Sequence, residues 1–250
     1  MKRTDLMAFL NDTLAPNQIR DFCPNGLQVE GAEHINRIVT GVTASQALVD
    51  KAIELGADAL VVHHGYFWKG ESEVITGMKQ RRIKALLDNN INLIAYHLPL
   101  DVHPQLGNNA QLAKLLGIEL QGGMEANPVS VPVWGRLAEP VSGEAFAQRI
   151  ERVLGRKPLS SLVRSERIET IGLCTGGGQG YIDLAAQQGL DAYLTGEASE
   201  QTIHSSREQG IDFFAAGHHA TERYGAKALG EHISQHFDVD VTFIDIDNPV

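Results

Sequence analysis

The sequence predicts an α/β protein made of two similar α/β domains from an internal duplication, with a metal site between them. Short runs rich in Val, Ile and Leu alternate with helix-like segments, a pattern typical of βαβ units around a largely parallel sheet. The letters also recur: residues 38–62 end in AIELGADALVV, and residues 171–195 end in AAQQGLDAYLT in the same frame. Such a repeat indicates duplication. The alternative is the general likeness of all βαβ units.

In the first half of the sequence, the alternation of apolar runs and helix-like segments predicts three strands and three helices. The strands lie near residues 37–43, 58–63 and 91–97, and the helices near 44–55, 78–89 and 108–116. Residues 118–136 contain Gly122, Gly123, Pro128 and Pro132. These residue types predict a linker or connecting loop.

A second series of elements follows the predicted linker. Its strands lie near residues 170–174, 192–195 and 211–216, its helices near 143–154, 181–188 and 199–208, and a helix at 220–236 and a strand at 239–246 complete it. We therefore predict a first domain over residues 1–125, completed by the helix and strand of 220–250. The second domain is expected over 126–219.

Composition excludes several classes of protein. The chain has 250 residues, 43% of them hydrophobic, which is enough for a full core. A net charge of -10 argues against binding a nucleic-acid duplex by phosphate neutralisation. Two cysteines without metal-site spacing favour a reducing compartment. With no signal-peptide pattern and no run of about 20 apolar residues, we expect a cytoplasmic protein without membrane association.

Two adjacent histidines follow the apolar run that ends the second predicted strand. His63 and His64 therefore lie at the carboxyl end of a strand, where open α/β sheets bind their ligands. Adjacent residues of an extended strand point to opposite sides, so one histidine for each of two neighbouring metals fits this geometry. The alternative is an ordinary surface pair at the start of a loop.

Carboxylates stand near the other predicted strand ends. His218 and Glu222 share a helix face if the helix begins after Gly217, and Glu222 could bridge two cations. Asp101 follows a turn at Pro99 that lets it reach the same edge. The alternative for His218 and Glu222 is a solvated helix face with a modest side-chain contact.

The candidate donors share one chemistry, since all of them are nitrogen or oxygen ligands. Such a set suits two divalent cations of iron, zinc, manganese, nickel or cobalt, and it leaves open positions typical of catalysis. The metal ligands that we predict are His63, His64, Asp101, His218 and Glu222. His97 is a candidate metal ligand, a candidate hydrogen-bond donor to a metal ligand or a candidate proton shuttle, and His219 could also move a proton near the metals.

Several other residues have two interpretations. The loop 175–180, TGGGQG, could hold an anion on its backbone amides or form a tight turn. Tyr66, Phe67 and Trp68 could stack on a substrate ring or pack a loop or subunit contact. Asn25 and Gln28 are candidates for orienting ligands.

Eight segments carry a resemblance that runs nearly the length of the chain. They are PNGLQVEG, TGVTAS, VVHHGYFW, HLPLD, GNN, TGGG, TGE and GHHATE, which begin at residues 24, 40, 61, 97, 107, 175, 195 and 217. They resemble the short bacterial form of the Nif-three-like family, often labelled GTP cyclohydrolase 1 type 2 homologues. Many members have Pro after the paired histidines, where this chain has Gly65.

The resemblance implies a toroidal homohexamer and a duplicated fold with two metals. The resemblance also implies that the two metals are bound at the positions of His63, His64, Asp101, His218 and Glu222. We expect a metal-dependent hydrolase acting on a nucleotide-like or cyclic amide or amidine substrate, in which His97 or His219 moves the proton. The alternatives are a non-enzymatic metal-binding or sequestering protein and a regulatory ring protein.

Overall fold

A computed structural model describes residues 1–250. These residues form two compact units. Unit 1 comprises Met1–Leu106 and Gly225–Asp247, and unit 2 comprises Gly107–Tyr224 and Asn248–Val250. No helix in the structure combines the length and the apolar character needed to cross a membrane.

Unit 1 contains a five-stranded sheet in the order β1-β4-β3-β2-β11. The strands are β1 (Gly26–Val29), β2 (Arg37–Thr43), β3 (Ala59–His64), β4 (Asn92–Ala95) and β11 (Asp240–Phe243). Strands β11, β2, β3 and β4 are parallel, and β1 pairs antiparallel with the edge of β4. The carboxyl ends of the parallel strands therefore lie along one edge of this sheet.

Four helices lie within the first segment of unit 1. They are α1 (Arg3–Leu14), α2 (Gln46–Glu54), α3 (Gly77–Asp88) and α4 (Leu98–Val102). Helix α2 begins where the Ser45 side chain accepts a hydrogen bond from the backbone N–H of Leu48, which satisfies one donor of the first turn. Helix α4 begins with Pro99 in its first turn, where the missing N–H of proline costs no hydrogen bond.

Unit 2 contains a six-stranded sheet in the order β5-β6-β8-β9-β10-β7. The strands are β5 (Ile118–Gly123), β6 (Val133–Val141), β7 (Leu159–Ser161), β8 (Ile168–Cys174), β9 (Ala192–Thr195) and β10 (Asp212–Ala215). The helices are α5 (Asn108–Leu116), α6 (Gly143–Leu154), α7 (Ile182–Gln187), α8 (Glu200–Gln209) and α9 (His218–His236). Strands β8, β9 and β10 are parallel, and the division between the units falls within α9.

The central strand β3 is buried on both faces of its sheet. Leu60 and Val62 belong to one apolar cluster, whereas Ala59 and Val61 belong to another. This alternation follows from the two-residue period of a strand, and it explains why the strand appears in the sequence as a continuous apolar run. The strand delivers His63 into a fully buried position at its end.

The two units repeat the same backbone connections, as expected for a duplicated fold. In unit 1 the N–H of Asp58 donates to the carbonyl of Arg37, and the N–H of Asn92 donates to the carbonyl of Asp58. In unit 2, Asp191 donates to Thr170 and Asp212 donates to Asp191 in the same order. The predicted α/β class with two similar domains is confirmed.

The prediction of a linker or connecting loop over residues 118–136 is wrong for its two ends, because only residues 124–132 lie outside strands. Residues 118–123 form β5, residues 133–136 begin β6, and residues 124–132 form the loop that connects them. The two strands pair antiparallel, with an irregularity in register between Leu120 and Gly122. Strand β6 also pairs with β8, so the segment belongs to the sheet of unit 2. The divisions at 106/107 and 224/225 thus differ from the predicted 125/126 and 219/220 because α5 and β5 pack in unit 2.

Candidate metal centre

The buried imidazole of His63 is oriented by the neighbouring strand end. Its Nδ1 lies 3.1 Å from the carbonyl oxygen of Tyr96, which follows β4. Because a carbonyl can only accept, Nδ1 carries the proton and Nε2 carries the lone pair. Nε2 lies 3.5 Å from Oδ1 of Asp101. His63 therefore has the tautomer that a metal ligand requires.

His64 is oriented by the strand on the other side. Its Nδ1 lies 3.0 Å from the hydroxyl of Thr43, the residue opposite it in the β2–β3 register. The rings of His63 and His64 are 4.5 Å apart between centroids. The two residues leave β3 on opposite faces by the strand period, yet the strand end brings their rings into contact.

His97 completes a cluster of three histidines within unit 1. One ring nitrogen of each of His63, His64 and His97 lies within 4.8 Å of the other two. The ring of Trp68 meets that of His97 edge-on at 4.8 Å between centroids. Imidazole nitrogens at these separations could hold a metal ion.

Asp101 lies in the short helix α4 that follows the His97 turn. Its side chain is buried, and its backbone N–H donates to the carbonyl of His97 at 3.2 Å. The first turn of a helix favours a carboxylate through the partial positive charge of the N–H groups there. The structure thus brings Asp101 beside His63, in agreement with its predicted position at a strand end.

In unit 2, His218 lies between two carboxylates at the start of α9. Its Nδ1 is 2.6 Å from Oε1 of Glu197, and its Nε2 is 3.2 Å from Oε2 of Glu222. The preceding Gly217 has φ +103°, which lets the chain turn directly from β10 into the helix. The predicted i,i+4 spacing therefore places His218 and Glu222 on one helix face.

The two carboxylates control the protonation of His218. Burial lowers the pKa of His218, but hydrogen bonding and charge from Glu222 and then from Glu197 outweigh it and raise the pKa to about 9. A carboxylate on Nδ1 of a histidine is the usual orienting partner in metal sites. Protonation and metal ligation compete for Nε2.

The loop 175–180 forms a tight turn around Glu222. The N–H of Gly176 donates to the hydroxyl of Thr221, and the N–H of Gly178 donates to the hydroxyl of Thr195, both at 3.0 Å. A Cβ on Gly176 would lie 2.0 Å from Oε1 of Glu222. These amides are engaged within unit 2, which supports the tight-turn interpretation over anion binding.

His219 is a buried residue in the first turn of α9. It is 9% exposed, and its backbone N–H donates to the carbonyl of Val250 at 2.9 Å. The tail Asn248–Val250 thus packs in unit 2 beside the start of this helix. This hydrogen bond holds the backbone of His219 in place. The role of its imidazole ring stays a prediction.

The three aromatic residues after the histidine pair pack within unit 1. The hydroxyl of Tyr66 donates to the carbonyl of Ala44 at 2.9 Å, and Trp68 Nε1 donates to the carbonyl of Gly65 at 3.2 Å. Phe67 has φ +65°, a strained conformation for a residue with a side chain. The packing interpretation therefore holds for Tyr66 and Trp68.

Gln28 and Gly65 explain the shape of this loop. Oε1 of Gln28 accepts from the N–H of Tyr66 at 2.7 Å, and a Cβ on Gly65 would lie 2.1 Å from that same oxygen. Gln28 therefore orients the loop after the histidine pair. A larger residue at position 65 would displace Gln28 from this contact.

Sequence reasoning missed the residues that orient the histidines. Thr43 contacts His64, Asp21 contacts His97, and Glu197 contacts His218. Glu197 had a signal in the sequence, since it lies two residues after the end of β9 in the segment TGE. Asp21 lies in a loop without periodicity, and only the fold brings it to His97.

The fold and the donors together define a class of protein. Each unit presents histidines and carboxylates at the carboxyl ends of parallel strands, so the chain is a duplicated α/β protein with candidate metal-binding clusters. More particularly, the chain belongs to the Duf34/NIF3 (NGG1p interacting factor 3) family, because a model of that family matches residues 1–249. The predicted resemblance is confirmed.

Relatives match over their whole length. The "GTP cyclohydrolase 1 type 2 homolog" of Haemophilus influenzae is 62% identical over 250 residues, which is 100% of both chains. A solved structure described as "Structural genomics, protein ybgI, unknown function" is 58% identical with a TM-score of 0.97. The structure of TTHA1606 from Thermus thermophilus is 33% identical with a TM-score of 0.87. These two structures each match over 100% of this chain and 100% of their own chain.

Proposed function

We propose that the chain is a metal-dependent hydrolase that binds two divalent cations. The proposed ligands are His63, His64, Asp101, His218 and Glu222. The observation that carries the proposal is the orientation of the histidines: Nδ1 of each of the three is engaged by an oxygen atom of its own unit. An engaged Nδ1 leaves Nε2 to act as the metal ligand, which is the arrangement of known metal sites.

The chemistry of the donor set fits such cations. It combines imidazole nitrogens with carboxylates that are almost fully buried, Asp101 at 5% and Glu222 at 3% exposure. Buried carboxylates are costly unless a cation or hydrogen bonds compensate their charge. Nitrogen and oxygen donors without thiolate suit zinc, iron, manganese, nickel or cobalt.

The protein would supply orientation and proton transfer. Divalent cations, when bound, lower the pKa of water and polarise a carbonyl or phosphoryl group. Glu197 would hold the His218 ring, Thr43 would hold the His64 ring, and His97 or His219 would accept a proton. The name shared by the relatives supports a nucleotide-like or cyclic amide or amidine substrate.

Metal content and turnover test this proposal together. Wild type, Glu222→Ala and the matched control Glu231→Ala, an exposed residue of the same helix, would be loaded with each metal in turn. GTP, bis-p-nitrophenyl phosphate and hydantoin would serve as substrate probes. We expect saturable turnover that a chelator abolishes, with metal and activity lost only in Glu222→Ala. Full activity of Glu222→Ala at an unchanged metal-to-chain ratio would overturn the proposal.

The same measurements decide the alternative functions. Tight metal uptake without turnover on any probe would indicate a metal-binding or sequestering protein. Light scattering on the same samples would test the homohexamer that the family resemblance implies.

A further inference from the structure

The Asp21 side chain is fully committed to hydrogen bonds. Oδ1 accepts from the N–H of Phe22 at 2.6 Å and lies 2.7 Å from Nδ1 of His97. Oδ2 accepts from Nδ2 of Asn25 at 2.9 Å and from the N–H of Leu98 at 2.9 Å. A carboxylate offers about four acceptor positions, and each is occupied here.

This saturation argues against a metal ion at Asp21. Asp21, Cys23 and His97 have potential ligand atoms within 4.8 Å of one another, so the cluster resembles a separate metal site. A metal at Asp21 would have to break at least one of its four hydrogen bonds. The Cys23 thiol is also poorly disposed to ionise, because burial and then Asp21 raise its pKa to about 12.

The same bonds fix His97 through both its ring and its backbone. Asn25 donates to Asp21 through Nδ2 and accepts the N–H of His97 through Oδ1 at 2.8 Å. Asp21 meanwhile accepts the N–H of Leu98, the residue after His97. Asn25 and Asp21 therefore hold the two successive backbone N–H groups at the start of α4, and Asp21 also holds the ring of His97.

We propose that Asp21 is a positioning residue that holds His97 as the proton acceptor of the hydrolytic reaction. An ionised carboxylate on Nδ1 requires that nitrogen to carry a proton, so the neutral ring of His97 keeps its lone pair on Nε2. His97 belongs to the cluster with His63 and His64, two of the proposed metal ligands. This inference rests on the proposed function, and it assigns the proton-transfer role to His97 rather than to His219.

The proton movement balances within this arrangement. The oxygen of a water molecule forms a bond to the carbon or phosphorus of the substrate while one O–H bond of the water breaks. The released proton goes to Nε2 of His97. It is then transferred to the leaving nitrogen or oxygen as the bond to that atom breaks, which returns His97 to its initial state.

The test compares Asp21→Asn with Asp58→Asn in zinc-loaded protein. Asp58 is the matched control because its carboxylate also accepts two backbone N–H groups in unit 1, yet neither bond involves a histidine. The ¹⁵N shifts of the His97 ring, assigned with His97→Gln, report the tautomer without any substrate. Turnover of the probe that wild type hydrolyses gives kcat and KM.

We expect the Nδ1–H tautomer of His97 in wild type and in Asp58→Asn, and its loss in Asp21→Asn. We expect kcat of Asp21→Asn to fall by about 100-fold or more with KM and zinc content unchanged. An Nε2–H tautomer in wild type, or wild-type kcat in Asp21→Asn, would overturn the inference. The wild-type spectrum gives a result even if Asp21→Asn does not fold. Absence of turnover in wild type would instead count against the proposed function.

Discussion

Unit 1 and unit 2 share a framework at the start of their strands. Oδ2 of Asp58 accepts the N–H groups of Asn36 and Arg37, and Oδ2 of Asp191 accepts those of Glu169 and Thr170. Both carboxylates thus tie one strand to the next at the amino ends. The duplicated positions are retained where they hold backbone together.

The carboxyl ends of the same strands differ between the units. By strand register, Thr43 and His64 of unit 1 correspond to Gly176 and Glu197 of unit 2. In unit 1 the hydroxyl of Thr43 holds His64, whereas in unit 2 Gly176 leaves room for Glu222 and Glu197 holds His218. Duplication kept the scaffold, and the chemistry diverged at the edge where ligands bind.

The largest effect on the free energy of unfolding should come from a substitution in the core of unit 2. Phe214 is fully buried and meets Phe146 edge-on at 5.2 Å between centroids, while its counterpart in β4 is the smaller Ile94. We expect Phe214→Ala to lower the free energy of unfolding by about 3–5 kcal/mol, and Ile94→Val by about 0.5–1.5 kcal/mol. Urea denaturation with hydrogen exchange would measure each loss and locate it in its own unit. Equal losses would contradict the expectation that the cost follows the volume removed from each core.

A smaller effect should come from the shared carboxylate framework. Burial raises the pKa of Asp191, but hydrogen bonds from Thr170 and Glu169 and the charge of Arg164 outweigh it and lower the pKa below its ordinary value. Asp191→Asn should therefore cost about 1–3 kcal/mol at neutral pH. The stabilisation is present above pH 3.8 and is lost as the pH falls through the lowered pKa, which denaturation at several pH values would measure.

Asp58→Asn provides the comparison for that measurement. Asp58 accepts two backbone N–H groups, whereas Asp191 also accepts the hydroxyl of Thr170 and pairs with Arg164 at 2.9 Å. The cost of Asp58→Asn should therefore be the smaller of the two. A larger cost for Asp58→Asn than for Asp191→Asn would show that the contacts of Asp191 with the Thr170 hydroxyl and Arg164 do not add to stability.

The next prediction concerns the edge of unit 2, where it departs from unit 1. Gly176 has φ +66°, and an added Cβ would displace Glu222, whereas a Cβ on Gly177 meets nothing nearer than 3.8 Å. We expect Gly176→Ala to weaken metal affinity about 10- to 100-fold, as loss of an orienting contact does, and Gly177→Ala to leave it unchanged. Isothermal titration with zinc measures both; equal affinities would remove Glu222 from the ligand set.

The smallest effect on stability should come from a helix cap that α2 of unit 1 has and the corresponding helix α7 of unit 2 lacks. Ser45 caps α2, whereas its counterpart α7 begins after a 3₁₀ turn without a side-chain cap. Ser45→Ala should cost about 1 kcal/mol. The control is Thr76→Ala, because Thr76 precedes α3 without a capping hydrogen bond. A similar cost for both variants in thermal denaturation would show that the cap contributes nothing.

Local patterns predicted the strands and helices well where the chain has a clear period. Strand β2 spans Arg37–Thr43 and β9 spans Ala192–Thr195, as their apolar runs indicate. The prediction failed for β5, because Gly122 and Gly123 are typical of loops and only pairing with β6 makes them part of a sheet. Helix α1 is not among the predicted elements, although its buried residues Leu6, Leu10 and Leu14 recur at helical spacing.

The sequence by itself determined the α/β class, the duplication and the donor residues at strand ends, because these depend on periodicity and residue type. Only the tertiary structure decided which residues orient the histidines. Asp21 is 76 positions from His97 along the chain, and no local pattern records that distance. Hydrogen bonds between such segments form when the sheet brings them together, so the tautomers of His63 and His97 depend on the fold.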